Sequence, residues 1–247
     1  MATRAKVAIA VFVLSLFAND ARGQAMTGAM GTPDQSNVIK NLDKELSAGK
    51  RIVILSPKIS TRPSETHAAL LLSNNNFSGD LNFSGRIQTV RQLRTISSPN
   101  PWECAWIVWN YHGGHFYYVA LKTNGWEIGK YDHAIAGQQR FLKTGNSEFA
   151  VGTWHDFEIT QRQAEIQVRL DGVDVATLED TADPYNSGKI GFYTEDAEIQ
   201  IGDISAPFKD DFSDYPLRVF RGDGQIVKNW SMPFLGHGYA AIAMAKK

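Results

Sequence analysis

Residues 106–130 read WIVWNYHGGHFYYVALKTNGWEIGK, and the alternation within this stretch decides the fold. Val, Ile, Tyr, Phe and Trp dominate three runs, Ala105 to Tyr111, Phe116 to Lys122 and Trp126 to Tyr131, which is the composition of strands. Between the last two, Thr123-Asn124-Gly125 supplies residues tolerant of positive φ, so these runs are expected to pair antiparallel. Successive side chains on a strand point to opposite faces. Cys104, Trp106 and Val108 therefore share one face of the first run, and Glu103, Ala105, Ile107, Trp109 and Tyr111 the other. Neither face is solvated in character, so one is expected in a core and the other in the cleft of a curved sandwich. The carboxylate-bearing face, with Trp109 and Tyr111, is assigned to the cleft, the swapped phase being the alternative. In the second run Tyr117, Val119 and Leu121 are assigned to the core and Phe116, Tyr118, Ala120 and Lys122 to the cleft. Trp126, Glu127, Lys130 and Tyr131 of the third run join them there.

Working outward, further strands are predicted at Arg51 to Ser56, His67 to Leu72, Leu81 to Arg94, His155 to Gln161, Glu165 to Leu170, Lys189 to Thr194 and Ala197 to Ile204. Leu170-Asp171-Gly172 is a second hairpin signal; Asp171-Gly172-Val173-Asp174 is read as that turn rather than a calcium loop, because its glycine is misplaced for the latter. Pro57, Pro63, Pro99, Pro101, Pro184, Pro207 and Pro216 all fall between these runs, as the missing N–H requires. The chain thus reads as all-β: a sandwich of two antiparallel sheets in a single domain over residues 51–247, without internal repeats.

The N-terminus has a different character. Met-Ala-Thr-Arg-Ala-Lys precedes an apolar run from Val7 to Ala18 and small residues ending at Ala25, the pattern of a secretory signal peptide. That run is 12 residues long, short of the roughly 20 that span a bilayer, so no membrane span is expected. A secreted or periplasmic location follows as the expectation. Residues 26–50 begin Gly/Met/Thr/Pro-rich, a composition expected to be flexible; Val38, Leu42 and Leu46 then recur every four residues, which suggests one short helix. Cleavage after Ala25 would remove Arg4, Lys6, Arg22 and Asp20, leaving 22 basic and 25 acidic residues. Such a balance is too acidic for nucleic-acid binding by bulk electrostatics. Cys104 is the only cysteine, so no intramolecular disulfide exists, and it is read as a small buried hydrophobe.

The run from Trp106 to Tyr111, that from His115 to Lys130, and then Val151-Gly-Thr-Trp-His-Asp-Phe-Glu-Ile, Val168-Arg-Leu-Asp-Gly and Ser187-Gly-Lys-Ile-Gly-Phe-Tyr-Thr-Glu-Asp-Ala resemble successive strands of the concanavalin A-like lectin/glucanase superfamily. The resemblance is greatest to laminin-G-like and keto-disaccharide-hydrolase-like jelly rolls and covers roughly Arg51 to Pro207. It implies a concanavalin A-like jelly roll. Lectins, hydrolases, lyases and structural modules all use this fold, so it does not choose an activity. Phe208-Lys-Asp-Asp-Phe-Ser-Asp-Tyr, Asn229-Trp-Ser-Met and Gly238-Tyr-Ala-Ala-Ile resemble the opening strands of related domains but here come last. A circular permutation is inferred, with Tyr239 to Met244 pairing beside Arg51 to Ser56; a decorative tail is the alternative.

Aromatic rings cover the C–H faces of sugars while polar neighbours bond their hydroxyls. Trp109, Tyr111, His115, Lys122, Trp126 and Lys130 are therefore candidate ligand-binding residues for a polysaccharide or oligosaccharide. For a glycosidase the best carboxylate pair is Glu103 and Glu127; the alternating Glu, Asp, Glu motif of the superfamily's laminarinases is absent, and Thr194-Glu-Asp-Ala-Glu-Ile departs from it. For a polysaccharide lyase, Arg94 of Arg91-Gln-Leu-Arg94 would neutralise a uronate, with Tyr118, His67 or His115 as base. No cofactor is expected beyond a structural calcium at Asp203, Asp210 and Asp211. The leading expectation is a carbohydrate-binding jelly roll, with a glycoside hydrolase or polysaccharide lyase as alternative and an envelope structural or protein-interaction module as a third.

Overall fold

The computed structural model describes residues 50–245, so the predicted signal peptide and nearly all of the 26–50 segment with its helix lie outside the described residues. Along the chain the strands are β1 Arg51–Ser56, β2 Ala68–Ser73, β3 Phe77–Ser78, β4 Leu81–Gln92, β5 Ala105–His112 and β6 His115–Lys122. Next come β7 Gly125–Tyr131, β8 Gln139–Gly145, β9 Trp154–Arg162, β10 Glu165–Leu170, β11 Val173–Glu179 and β12 Ser187–Glu195. β13 Ala197–Ser205, β14 Lys209–Asp210, β15 Arg218–Phe220, β16 Gly224–Val227, β17 Trp230–Phe234 and β18 Tyr239–Met244 complete the set. No helix occurs among the described residues.

Two antiparallel sheets result. The first runs β11-β10-β9-β4-β13-β1-β18-β15, with β14 on β13; the second runs β16-β17-β2-β12-β5-β6-β7-β8, with β3 on β12. Their facing sides form the larger apolar core, where Phe83, Phe157 and Ile201 of the first sheet meet Ile107, Val119 and Phe192 of the second. Phe192 packs on Phe83, Phe157 and Trp230 at centroid separations of 5.8, 6.0 and 5.9 Å, tilted or edge-on as ring quadrupoles prefer.

The two predicted hairpins form as two-residue turns. Lys122 pairs with Gly125, and Leu170 with Val173 across Asp171 and Gly172, both at positive φ. Strands absent from the expectation include β8 and β11, the end strands of the two sheets. With one face toward solvent and few buried positions, they lack the apolar alternation that reveals inner strands.

A bulge at Asn110, with φ of 52°, interrupts β5 where its pairing with β6 shifts between Trp109 and His112. One extra residue reverses the side-chain phase, so Trp109 turns inward while Tyr111 joins the outer side. Asn110 is held there by donating to Gln161 Oε1 (3.0 Å) and Tyr185 O (2.6 Å).

The C-terminal segment is integral to both sheets. β18 pairs with β1 from Arg51 opposite Met244 to Ser56 opposite Tyr239, as inferred from the sequence, and β17 lies beside β2. Pro233 falls within β17 where the β17–β2 register slips, the position at which a missing N–H is tolerated. A chain ending at Pro207 would lose β14 to β18 and leave β1 and β2 as open edges. It is expected to lose the cooperative thermal transition seen by circular dichroism; an unchanged melting curve would show the closure to be dispensable.

Candidate functional site

The outer side of the second sheet, turned away from the larger core, carries a second apolar cluster: Leu70, Leu72, Cys104, Trp106, Val108, Phe116, Tyr118, Ala120, Tyr131 and Tyr193, with Tyr111 and Phe234 packed against it. Pairing aligns these residues in rows across the strands. Leu70, Tyr193, Trp106, Ala120 and Glu127 form one row, and Leu72, Gly191, Val108, Tyr118 and Gly129 the next. Ala120 stands opposite Trp106 and Gly129 opposite Tyr118, and the Tyr118 ring leans over its glycine. A Cβ on Gly129 would meet the Tyr118 hydroxyl at 2.2 Å, so only glycine lets that phenol lie flat. Trp106 lies 4.6 Å from Tyr118 and 5.4 Å from Tyr193, centroid to centroid, forming one aromatic cluster whose residues are 4%, 0% and 4% exposed.

Polar groups punctuate this surface. Glu127 accepts from the Tyr118 hydroxyl (3.1 Å) and pairs with Lys122 (2.6 Å). Burial, together with the Glu127 charge, pushes the Tyr118 phenol well up, so it remains protonated and unsuited to act as a phenolate base. On the central strand β12, Tyr193 donates to Glu195 Oε1 at 2.6 Å. Glu195 is 5% exposed, and burial pushes its carboxyl from 4.5 up to about 7, with Asp196 and Glu103 adding like charge and Arg94 opposing them. A carboxyl raised to about 7 beside two others that are paired with a guanidinium is the kind of arrangement that separates acid from base roles.

Behind Glu195 lies an ion-paired hub. Asp196, at φ 42° between β12 and β13, accepts from Arg94 Nη2 (2.6 Å), the His67 backbone N–H (3.0 Å) and the Ser60 hydroxyl. Arg94 also donates through Nε to Glu103 Oε1 (2.6 Å), to which Asn100 donates at 2.7 Å. Glu103 is 1% exposed, its Oε2 is buried without a partner, and burial raises its carboxyl despite Arg94. His67, close to Asp196 and Glu65, is lowered by burial.

The structure therefore gathers some sequence candidates and disperses others. Tyr118, Lys122, Glu127 and Tyr111 share the outer face, and Glu103 and Arg94 lie in the hub at its end. Three candidates face the other way. Trp109 is in the core between the sheets, donating to Gln161 at 2.8 Å, because β5 has the swapped phase up to the bulge. Trp126 also faces that core, its ring against Gly145. Lys130 shares the parity of Trp126; it is buried and bonds to Asp180 (3.0 Å) and to the Ala182 carbonyl (2.9 Å). His115 sits at the sheet's end beside Asp132 (3.4 Å) and Tyr185 (3.5 Å).

The three aspartates do not form one cluster: Asp203 and Asp211 line a common cavity with Lys50, Arg51 and Ser213, while Asp210 is buried apart from them. Asp203 pairs with Lys50 and Arg86, buried Asp210 accepts from Tyr215, Asn229 and Trp230, and Asp211 accepts from the Ser213 N–H. Among the described residues no group of three or more His, Cys, Asp or Glu is arranged to hold a metal ion. Cys104 is buried, as expected, and burial pushes its thiol well up. The sequence reading places Trp106 on the core face of its strand, and Tyr193, Glu195 and Asp196 are not among the sequence candidates. The signal was an aromatic followed two residues later by a carboxylate at the end of a predicted strand.

Two antiparallel sheets stacked as a sandwich, with this outer face, define a concanavalin A-like jelly roll. The model of the family described as 3-keto-alpha-glucoside-1,2-lyase-like domain matches residues 80–206, about half of the chain, and the chain belongs to that family. The matched span contains Arg94, Glu103, Trp106, Tyr118, Glu127, Tyr193 and Glu195. Among solved structures, the carbohydrate binding module CBM66 from Bacillus subtilis is 11% identical over 64% of this chain and 96% of the module, at a TM-score of 0.48. Mouse laminin alpha1 domains LG4-5 are 11% identical, covering 69% of this chain and 53% of theirs, at 0.40. Sheep galectin-11 is 14% identical, covering 55% and 95%, at 0.40. No curated protein matches the chain.

Arg94→Ala would leave Asp196 and Glu103 buried without their cation and is expected to destabilise the fold by ~3–5 kcal/mol, measured by denaturant unfolding. Glu195 has the opposite sign of contribution from a paired carboxylate. Its folded value lies above the free value, so it costs nothing below about pH 4.5 and destabilises progressively as pH rises through about 7. Glu195→Gln should thus raise the melting temperature relative to the parent at pH 8 but not at pH 4, with a limiting difference of about 3 kcal/mol.

Proposed function

We propose that this chain is a carbohydrate-processing enzyme that seats a glucosyl unit on the outer face of the second sheet. The reaction is an elimination across C1 and C2 of a glucoside carrying a ketone at C3. One observation carries the reading: Trp106, Tyr118 and Tyr193 form a continuous aromatic layer, buried beneath the outer side of the sheet and set beside Lys122, Glu127 and Glu195. Apolar rings that can cover a pyranose face, set beside groups that bond hydroxyls, are the requirements of a sugar site. The family description names the chemistry. A C3 ketone makes the C2 proton acidic, and its removal expels the group on C1. The protein must then hold the ring, keep water from the enolate and take up one proton.

Lys122 and Glu127 are suited to the sugar's hydroxyls, their mutual 2.6 Å contact fixing both heads. Arg94 is fully engaged by Glu103 and Asp196, which argues against the uronate-neutralising role of a polysaccharide lyase. That internal pairing also favours a second reading, saccharide binding without turnover, on the same face. The signal-peptide pattern of residues 1–25 supports export, so the saccharide is expected outside the cytoplasm.

Incubation with a 3-keto-α-glucoside should release the aglycone and an unsaturated ketone absorbing in the ultraviolet. Trp106→Ala should lower kcat/KM about tenfold or more, the equivalent of ~1.4 kcal/mol of lost stacking. Retention of glucosides without product would support the binding reading, and neither retention nor product would overturn both.

A further inference from the structure

We propose that Glu195 is the catalytic base of this face, taking the C2 proton of the seated sugar; the assignment rests on the sugar reading above. Three carboxyl groups, Glu195, Glu103 and Asp196, cluster around one guanidinium. Two of them hold Arg94 at 2.6 Å each, and Glu195 is left with a phenol as its partner, the Tyr193 hydroxyl on Oε1. Among the described residues its second oxygen has no hydrogen-bond partner. Directly across the pairing on β2 stands Ala68, which is too short to cap the carboxylate.

Every other titratable group near this surface is committed or mismatched. Glu127 is tied to Lys122 and Tyr118, and Glu103 to Arg94 and Asn100. The phenols of Tyr118, Tyr131 and Tyr193 are all raised, by burial first and with the Glu195 charge among the causes. Cys104 on β5 feels Glu195, Glu127 and Lys122, and its thiol is raised as well. The charged and titratable groups facing Glu195 are thus Asp196 on its own turn, Glu103 and Arg94 from the connection between β4 and β5, and these phenols and the thiol on the adjoining segments. They oppose its ionisation on balance and make the ionised form a stronger base than an ordinary carboxylate.

The step balances without an oxidant or reductant. Glu195 removes the C2 proton, and the C–H pair forms the C2–C3 enolate with charge on the C3 oxygen. When that carbonyl re-forms, C1 and C2 become doubly bonded. The C1–O bond breaks with its electron pair on the departing oxygen, which takes a proton from water. Glu195 returns its own proton to solvent.

The test uses the full chain with a 3-keto-α-glucoside. Glu195→Gln, which still accepts from Tyr193, should lower kcat by about 10²–10⁴-fold with KM within about threefold. The parent's kcat/KM should rise with pH through about 7, and the variant should lose that limb. In deuterium oxide the parent should exchange the C2 hydrogen of a keto-glucoside with a poor leaving group, and the variant should not. Glu195→Asp should recover part of the exchange. A Gln variant that turns over at the parent's rate with the parent's pH profile overturns the assignment of Glu195 alone. A parent chain that neither retains nor converts any keto-glucoside overturns the sugar reading, and Glu195 with it.

Discussion

The crossing from β12 to β13 is a single residue, Asp196, and it carries the chain from one sheet of the sandwich to the other. A non-glycine residue at positive φ is held there only because the surroundings over-determine it. Its backbone N–H donates to the His67 carbonyl and its carbonyl accepts from Leu93, while its carboxylate binds Arg94, Ser60 and the His67 N–H. The loop before β2, the end of β4 and the turn before β5 are thereby tied to one buried anion.

That constraint has an electrostatic consequence. Arg94 can satisfy two carboxylates, and geometry assigns it to Asp196 and Glu103. Glu195, one residue before the crossing, is therefore buried among negative charges with a phenol for company. A fold that needs its crossover clamped thus produces, as its neighbour, a carboxyl that holds a proton near neutrality. Structure and chemistry meet at two consecutive residues with opposite tasks, one clamped to a guanidinium and one poised to change.

Much of the architecture was legible because inner strands advertise themselves. β1 and β10 begin and end where the predicted apolar runs begin and end, and the Asp171-Gly172 turn has the positive φ that its residues advertise. The site was legible only in part. On β6 the phase was readable, since Tyr117, Val119 and Leu121 face the core and Tyr118 and Lys122 the outer side. On β5 both faces are apolar and aromatic, so hydrophobicity could not tell them apart, and the bulge at Asn110 placed Trp109 and Tyr111 on opposite sides although they share parity. Lys130 illustrates the converse: a lysine that reads as a solvent-facing ligand contact is drawn inward by Asp180, which lies 50 residues away in sequence.

Local pattern by itself determined the all-β class, the antiparallel hairpins and the buried thiol, because period and turn chemistry act over a few residues, whereas the closure of the C-terminal strand beside the first was legible only through the family resemblance. Which aromatic face lies outward, and which carboxyl lacks a cation, were decided only in three dimensions. Burial and ion pairing are properties of neighbours brought together across 102 residues, as Arg94 and Asp196 are, and no alternation within a strand encodes them.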